Sequence, residues 1–134
     1  MTRPPRGVLD TSVLVAREAG RSIRTAGLPA ETAISVVTLA ELEAGVLAAR
    51  ESSSRSSRLV TLREAEDFTV LPIDEEVASV WAQMRVHLAE SGRRVNVNDA
   101  WIAATAAAHR IPVVSQDDDF DPLEGVADLA VIRV

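Results

Sequence analysis

The chain contains no cysteine and no lysine, and only two histidines. Without cysteine there is no disulfide, no thiol nucleophile and no thiolate-ligated metal. Without lysine there is no Schiff base, no P-loop lysine and no lysine of the phospho-aspartate switches. His87 and His109 alone are too few to close a zinc site. Long apolar runs are missing as well: the longest spans five residues, Ala100 to Ala104. A membrane span needs about 20, and the core of a signal peptide about 7–15. The expectation is a soluble, cytoplasmic protein with no membrane segment. Aromatic residues make up 3% of the chain, which removes the usual stacking surface of single-strand binders. Trp81 and Trp101 therefore read as core anchors.

What remains is ordinary in size and unusual in charge. The 134 residues suit one domain, 1–134, able to bury a core unaided. Apolar residues at 47% and charged residues at 25% are typical of globular proteins. Fourteen arginines stand against 20 acids, for a formal net charge of −6. The charge is uneven: residues 1–60 carry +2 and residues 61–134 carry −8. An acidic chain is no general polyanion binder. A local acidic cluster is nevertheless what a hard divalent cation requires.

Short apolar runs alternate with helical patterns. Gly7–Asp10 follows the Pro4–Pro5 breaker and reads as a first strand. Thr11 and Ser12 offer hydroxyl caps for a helix through Val13–Ala16. The β-branched run 33–37 reads as a second strand, with Thr38 capping a helix from Leu39 to about Arg50. The run Ser52–Ser57 reads as a flexible connection before a helix from Ser57 to Asp67. Residues 68–71 form a third strand, stopped by Pro72. Asp74 caps a helix over 75–91, whose apolar positions Val77, Val80, Trp81, Met84 and Leu88 share one face; Gly92 ends it. Asn98 caps an alanine-rich helix over 99–110. Residues 113–115 and 129–134 supply a fourth and a fifth strand. The pattern predicts an α/β fold with a mainly parallel sheet of about five strands flanked by helices.

In such sheets the site forms at the carboxyl ends of the strands. Asp10 closes the first strand and Asp117 follows the fourth. Glu41 sits one turn into the helix after the second strand, and Asp99 opens the alanine-rich helix. Singly, each acid has a plain explanation: a cap, a turn, an exposed glutamate, a partner for the helix dipole. Together they share a geometry that converges at one edge of the sheet. Converging carboxylates cannot all stay ionised without a cation. Oxygen ligands alone point to Mg²⁺ or Mn²⁺. Ala44, Gly45 and Ala48 place small residues beside Glu41, predicting a close approach on that face.

Four segments resemble PIN-domain ribonucleases, and among them the VapC toxins of bacterial type II toxin–antitoxin modules. They are Val8-Leu9-Asp10-Thr11-Ser12, Thr38–Gly45 around Glu41, Asn98–Ala106 around Asp99, and Val113–Phe120 around Asp117. Their order and spacing are intact across essentially the whole chain. Two departures are small: Ser115 stands where threonine is commoner, and the amino terminus through Arg6 is slightly long. The resemblance implies a PIN-like three-layer fold and Mg²⁺- or Mn²⁺-dependent endoribonuclease activity that inhibits translation or growth. On that reading Asp10, Glu41, Asp99 and Asp117 form the catalytic and metal site, with Asp10 and Asp99 ligating directly. Thr11 and Ser115 orient carboxylates or metal-held water. Arg93 and Arg94 are candidates for RNA phosphate contact, and Asp119 is a fifth acid that reads as a turn residue. His87 reads as solvent-facing and His109 as a helix-end residue. The resemblance also implies a VapB-type antitoxin, whose arginine would compete with the cation, and a toxin homodimer.

Two other classes remain to be separated. An aspartyl phosphatase also uses an acid after its first strand. It needs a second acid two residues on and a later lysine, but position 12 is serine and lysine is absent. A non-catalytic PIN-like interaction module keeps the fold without the chemistry, and divalent-cation-dependent RNA cleavage distinguishes it.

Overall fold

The computed structural model describes residues 5–134; Pro4 of the expected breaker lies outside them. Strands β1 (Arg6–Leu9), β2 (Glu31–Ser35), β3 (Thr69–Leu71), β4 (Val113–Ser115) and β5 (Val131–Arg133) form one sheet. Its order is β3-β2-β1-β4-β5 and every pairing is parallel. The chain thus enters in the middle, builds outward to β3, then returns across β1 to add β4 and β5. The reversal falls between β1 and β4, the point at which parallel α/β sheets place their sites.

Alternation along the strands explains the two apolar layers. In β1, Val8 faces one core and Leu9 the other; in β4, Val113 and Val114 divide in the same way. One face packs against α4 (Glu75–Ser91) and α5 (Val97–Ala108), with Val77, Met84, Ile102 and Phe120 fully buried. The other packs against α1 (Thr11–Glu18), α2 (Val36–Ala48) and α3 (Ser52–Glu66), around Leu14, Ile34 and Leu42. Alanine at 100, 103, 104, 106 and 107 lets α5 lie close to the sheet, and all five are buried. Among the described residues no helix is long and apolar enough to cross a membrane.

Several boundaries differ from the sequence expectation, each for a local reason. The second strand ends at Ser35, not 37, because the Ser35 hydroxyl accepts from Val37 N at 3.1 Å and starts α2 there. Thr38 is therefore not the cap but a buried residue of the first turn. Asp10 itself caps α1, ahead of Thr11 and Ser12. Asn96, not Asn98, caps α5, its side chain accepting from Asn98 N at 2.9 Å.

The serine run is not a flexible connection. Residues 52–57 are the opening turns of α3. Arg55 donates to Ala49 O at 2.8 Å and Arg58 to Gly45 O at 2.7 Å, fixing α3 against α2. These bonds to carbonyls near the end of α2 supply what the serines' weak propensity does not.

Candidate active site

Asp10 stands where β1 becomes α1, at the point where the sheet order reverses. Its backbone N donates to Val114 O at 2.8 Å, so the residue is fixed by the sheet itself. The residue is 4% exposed. Oδ2 accepts from Ser12 N at 3.3 Å and lies 3.2 Å from the Ser115 hydroxyl. That hydroxyl also lies 3.1 Å from Asp117 Oδ1, so one donor stands between two carboxylates. Ser12 Oγ accepts from Gln116 N at 3.1 Å, tying the β1 and β4 loops together. Burial pushes the Asp10 carboxyl above its ordinary range; hydrogen bonds from Ser12 pull the other way, and the Asp117 charge adds to the rise.

Glu41 arrives from the opposite side, on α2. The Thr11 hydroxyl donates to its Oε1 at 2.7 Å, and the Thr38 hydroxyl lies 3.0 Å from that of Thr11. Asn98 Nδ2 reaches Oε2 at 3.5 Å, at the outer limit of a hydrogen bond. Because Asn96 does the capping, the Asn98 side chain is free for this role.

Asp99 lies half-buried in the first turn of α5. Its carboxyl is pushed up to about 7, first by burial and then by the charges of Asp10, Glu41, Asp119 and Asp117. The five acids singled out in the sequence thus form one electrostatic unit. Asp119 is exposed, and its N donates to Asp117 Oδ1 at 3.1 Å, as a turn residue does. Among the described residues, no three Asp, Glu or His side chains already stand in metal-ligand geometry. The donor set is all oxygen, and its mutual repulsion is of the kind a cation relieves, so the residues fit a hard divalent ion.

Arg93 and Arg94 share a cleft of about 380 Å³ with Asp99, Asp118 and Asp119. The structure therefore brings the two arginines beside the acids. Arg133, which sequence reasoning did not single out, anchors the loop after β4. Its guanidinium donates to Asp118 at 3.0 Å, pairs with Asp121 and lies 3.7 Å from Glu124. A lone basic residue in an acidic C-terminal stretch was the available signal.

The small-residue face beside Glu41 is not closely approached as a whole. Ala44 and Ala48 are exposed, and a Cβ at Gly45 would meet only Arg58 Cδ, at 3.9 Å. His87 is exposed on α4, and His109 is the C-cap of α5. Trp81 and Trp101 stack on each other, with centroids 4.5 Å apart, against the α4–α5 core.

The PIN domain model matches residues 7–125. The chain belongs to the PIN-domain family. Its place among the VapC members follows from closer relatives. It is 53% identical to Ribonuclease VapC5 of Mycobacterium tuberculosis, over 99% of this chain and 98% of that one. It is 43% identical to Ribonuclease VapC4 of the same organism, over 90% and 93%. Among solved structures, it is similar to VapBC-5 of M. tuberculosis, a member of the VapBC toxin–antitoxin family. The TM-score there is 0.92, with 51% identity, covering 98% of this chain and 100% of that one. For a PIN domain, the four carboxylates at the sheet's reversal point are the natural place to seek chemistry.

Proposed function

We propose that the chain is the toxin of a type II toxin–antitoxin pair, a divalent-cation-dependent endoribonuclease. The observation that carries this reading is the convergence of Asp10, Glu41, Asp99 and Asp117 on one electrostatic unit, with Asp99 raised to about 7. Relatives named as ribonucleases, matched over nearly the full chain, support the substrate class.

Asp10 and Asp99 would hold Mg²⁺ or Mn²⁺ directly, with Glu41 and Asp117 completing the site through water. When bound, such an ion relieves charge on a phosphodiester and acidifies water beside it. The chain's own residues prepare for that in distinct ways. Ser12 N and the Ser115 hydroxyl hold Asp10 in one orientation. Thr11 fixes Glu41 with its second oxygen left toward Asn98. Ser115 keeps Asp10 and Asp117 adjacent by bridging them. Arg93 and Arg94 would receive phosphates flanking the scissile bond, offsetting the chain's net charge of −6 near the site.

The similar VapBC-5 structure is of a toxin–antitoxin family member, which supports a VapB-type antitoxin as partner. An antitoxin arginine placed among the carboxylates would satisfy the same charge as the cation and so compete with it. The test is cleavage of RNA by purified protein with Mg²⁺, with chelator, and with Asp99→Asn. Loss of cleavage in both controls, with the fold retained, is the expected result. Full activity of Asp99→Asn would remove the site assignment.

A further inference from the structure

A second cleft of about 540 Å³ opens on the other side of Arg93–Val95 from the acids. Arg85, Arg93 and Arg94 line it, and no carboxylate does. None of the three has an ion-pair partner among the described residues, whereas Arg6, Arg63 and Arg133 do. The wall is a stack built from two helices. Trp101 lies flat on Trp81, 9° from parallel, and the Arg85 guanidinium sits 5.7 Å from the Trp81 ring centroid on that cleft's side. The Trp81 indole N–H is buried there with no acceptor among the described residues.

These features have complementary uses. Three guanidiniums without ion-pair partners among the described residues attract an anion, and a guanidinium is a planar group on which a nucleobase stacks. Arg93 and Arg94 belong to both clefts, so a polyanion crossing them has one end at the acids and the other at Arg85. We infer that this cleft is a nucleotide subsite next to the cleavage centre: Arg93 and Arg94 hold the phosphate, and one unpaired base stacks on Arg85. Trp81 lines the cleft beside Arg85, and Trp101, stacked on Trp81, backs it from α5. The subsite takes single-stranded RNA, because a base paired and stacked in a duplex has no free face to lay on Arg85. It rests on the ribonuclease reading and adds a positioning residue, Arg85, to it.

The tryptophan pair is a built-in reporter, since the chain has two tryptophans and no tyrosine. The experiment titrates a short oligoribonucleotide, and its base-free ribose-phosphate counterpart, into Asp10→Asn protein with Mg²⁺, following indole fluorescence. Electrophoresis confirms that the oligomer stays intact. The intact oligomer should shift the fluorescence saturably and bind about tenfold more tightly than the base-free one. Arg85→Lys keeps the charge but loses the plane. It should erase most of that difference while leaving base-free binding unchanged. In the active background, Arg85→Lys should raise KM about tenfold with little change in kcat. Equal binding of both oligomers, or unchanged preference in Arg85→Lys, overturns the subsite. So does a fluorescence change produced by the antitoxin and not by RNA. If the wild-type chain binds the oligomer with this preference but never cleaves RNA, the ribonuclease reading falls and the cleft stands. Cleavage without any base preference gives the reverse.

Discussion

The Thr11 hydroxyl donates to Glu41 Oε1 at 2.7 Å, across 30 residues of sequence. This bond links the first turn of α1 to α2 and fixes the carboxylate that α2 brings to the site. Thr11→Val keeps the shape and removes the donor. RNA cleavage should fall about tenfold, and Thr11→Ser should retain most of it, with both variants unfolding near the parent temperature. Equal activity in Thr11→Val and the parent would show that Glu41 needs no such positioning.

Protonation of Asp99 sets a pH dependence opposite to that of most folded carboxylates. Its carboxyl is raised from an ordinary 3.8 to about 7 in the fold. Between those values the folded state binds a proton that the unfolded state does not. The metal-free protein therefore loses stability as pH rises through that window. Asp10, raised as well, acts in the same direction. Thermal unfolding with chelator should show a lower Tm at pH 8 than at pH 5. Adding Mg²⁺ should raise Tm more at pH 8 than at pH 5, because bound cation requires ionised carboxylates. Asp99→Asn should flatten the metal-free pH dependence.

Gly7 and Gly45 should respond with opposite sign to alanine, because only the first is close-packed. A Cβ on Gly7 would lie 2.6 Å from Pro29 Cγ and 3.2 Å from Val114 Cγ2, beside the strands that carry the site. Gly7→Ala should cost about 1–3 kcal/mol by overpacking. Gly45 lies inside α2, where the nearest contact is 3.9 Å away. Gly45→Ala should stabilise the protein by up to about 1 kcal/mol. Urea unfolding of the two variants measures both.

Arg133 connects β5 to the loop that carries Asp117 and Asp119. Its partners Asp118, Asp121 and Glu124 would lose their shared cation in Arg133→Ala. The group is partly exposed, so the expected loss is modest, about 1 kcal/mol at low salt. The difference from the parent should shrink at 1 M salt, where exposed charges are screened. Cleavage should fall severalfold as the loop loosens. A salt-independent difference would point to packing of the arginine stem instead.

The sheet and the four carboxylates were legible because both rest on local patterns. Short apolar runs between helical stretches gave the strands, and the parallel arrangement then placed Asp10 and Asp117 at neighbouring strand ends. Helix starts were less legible, since each depended on a choice among adjacent polar residues. Ser35 displaced Thr38 and Asn96 displaced Asn98 through side-chain bonds two residues onward. The Ser52–Ser57 run was misread because its helicity comes from α2: Arg55 and Arg58 bond across to Ala49 and Gly45. Arg85 follows Trp81 by one helical turn on α4, but the Trp81–Trp101 contact joins α4 to α5 and no spacing along either helix announces it.

Cation-dependent cleavage by the carboxylate cluster can be decided with one pair of proteins. Purified protein and its Asp10→Asn variant are incubated with RNA, with Mg²⁺ or with chelator, and the 5′ and 3′ ends of the products are mapped. The expected result is discrete internal cleavage by the parent with Mg²⁺, none with chelator and none from Asp10→Asn, while circular dichroism shows both proteins folded. Equal cleavage by Asp10→Asn, or cleavage that persists in chelator, would contradict it.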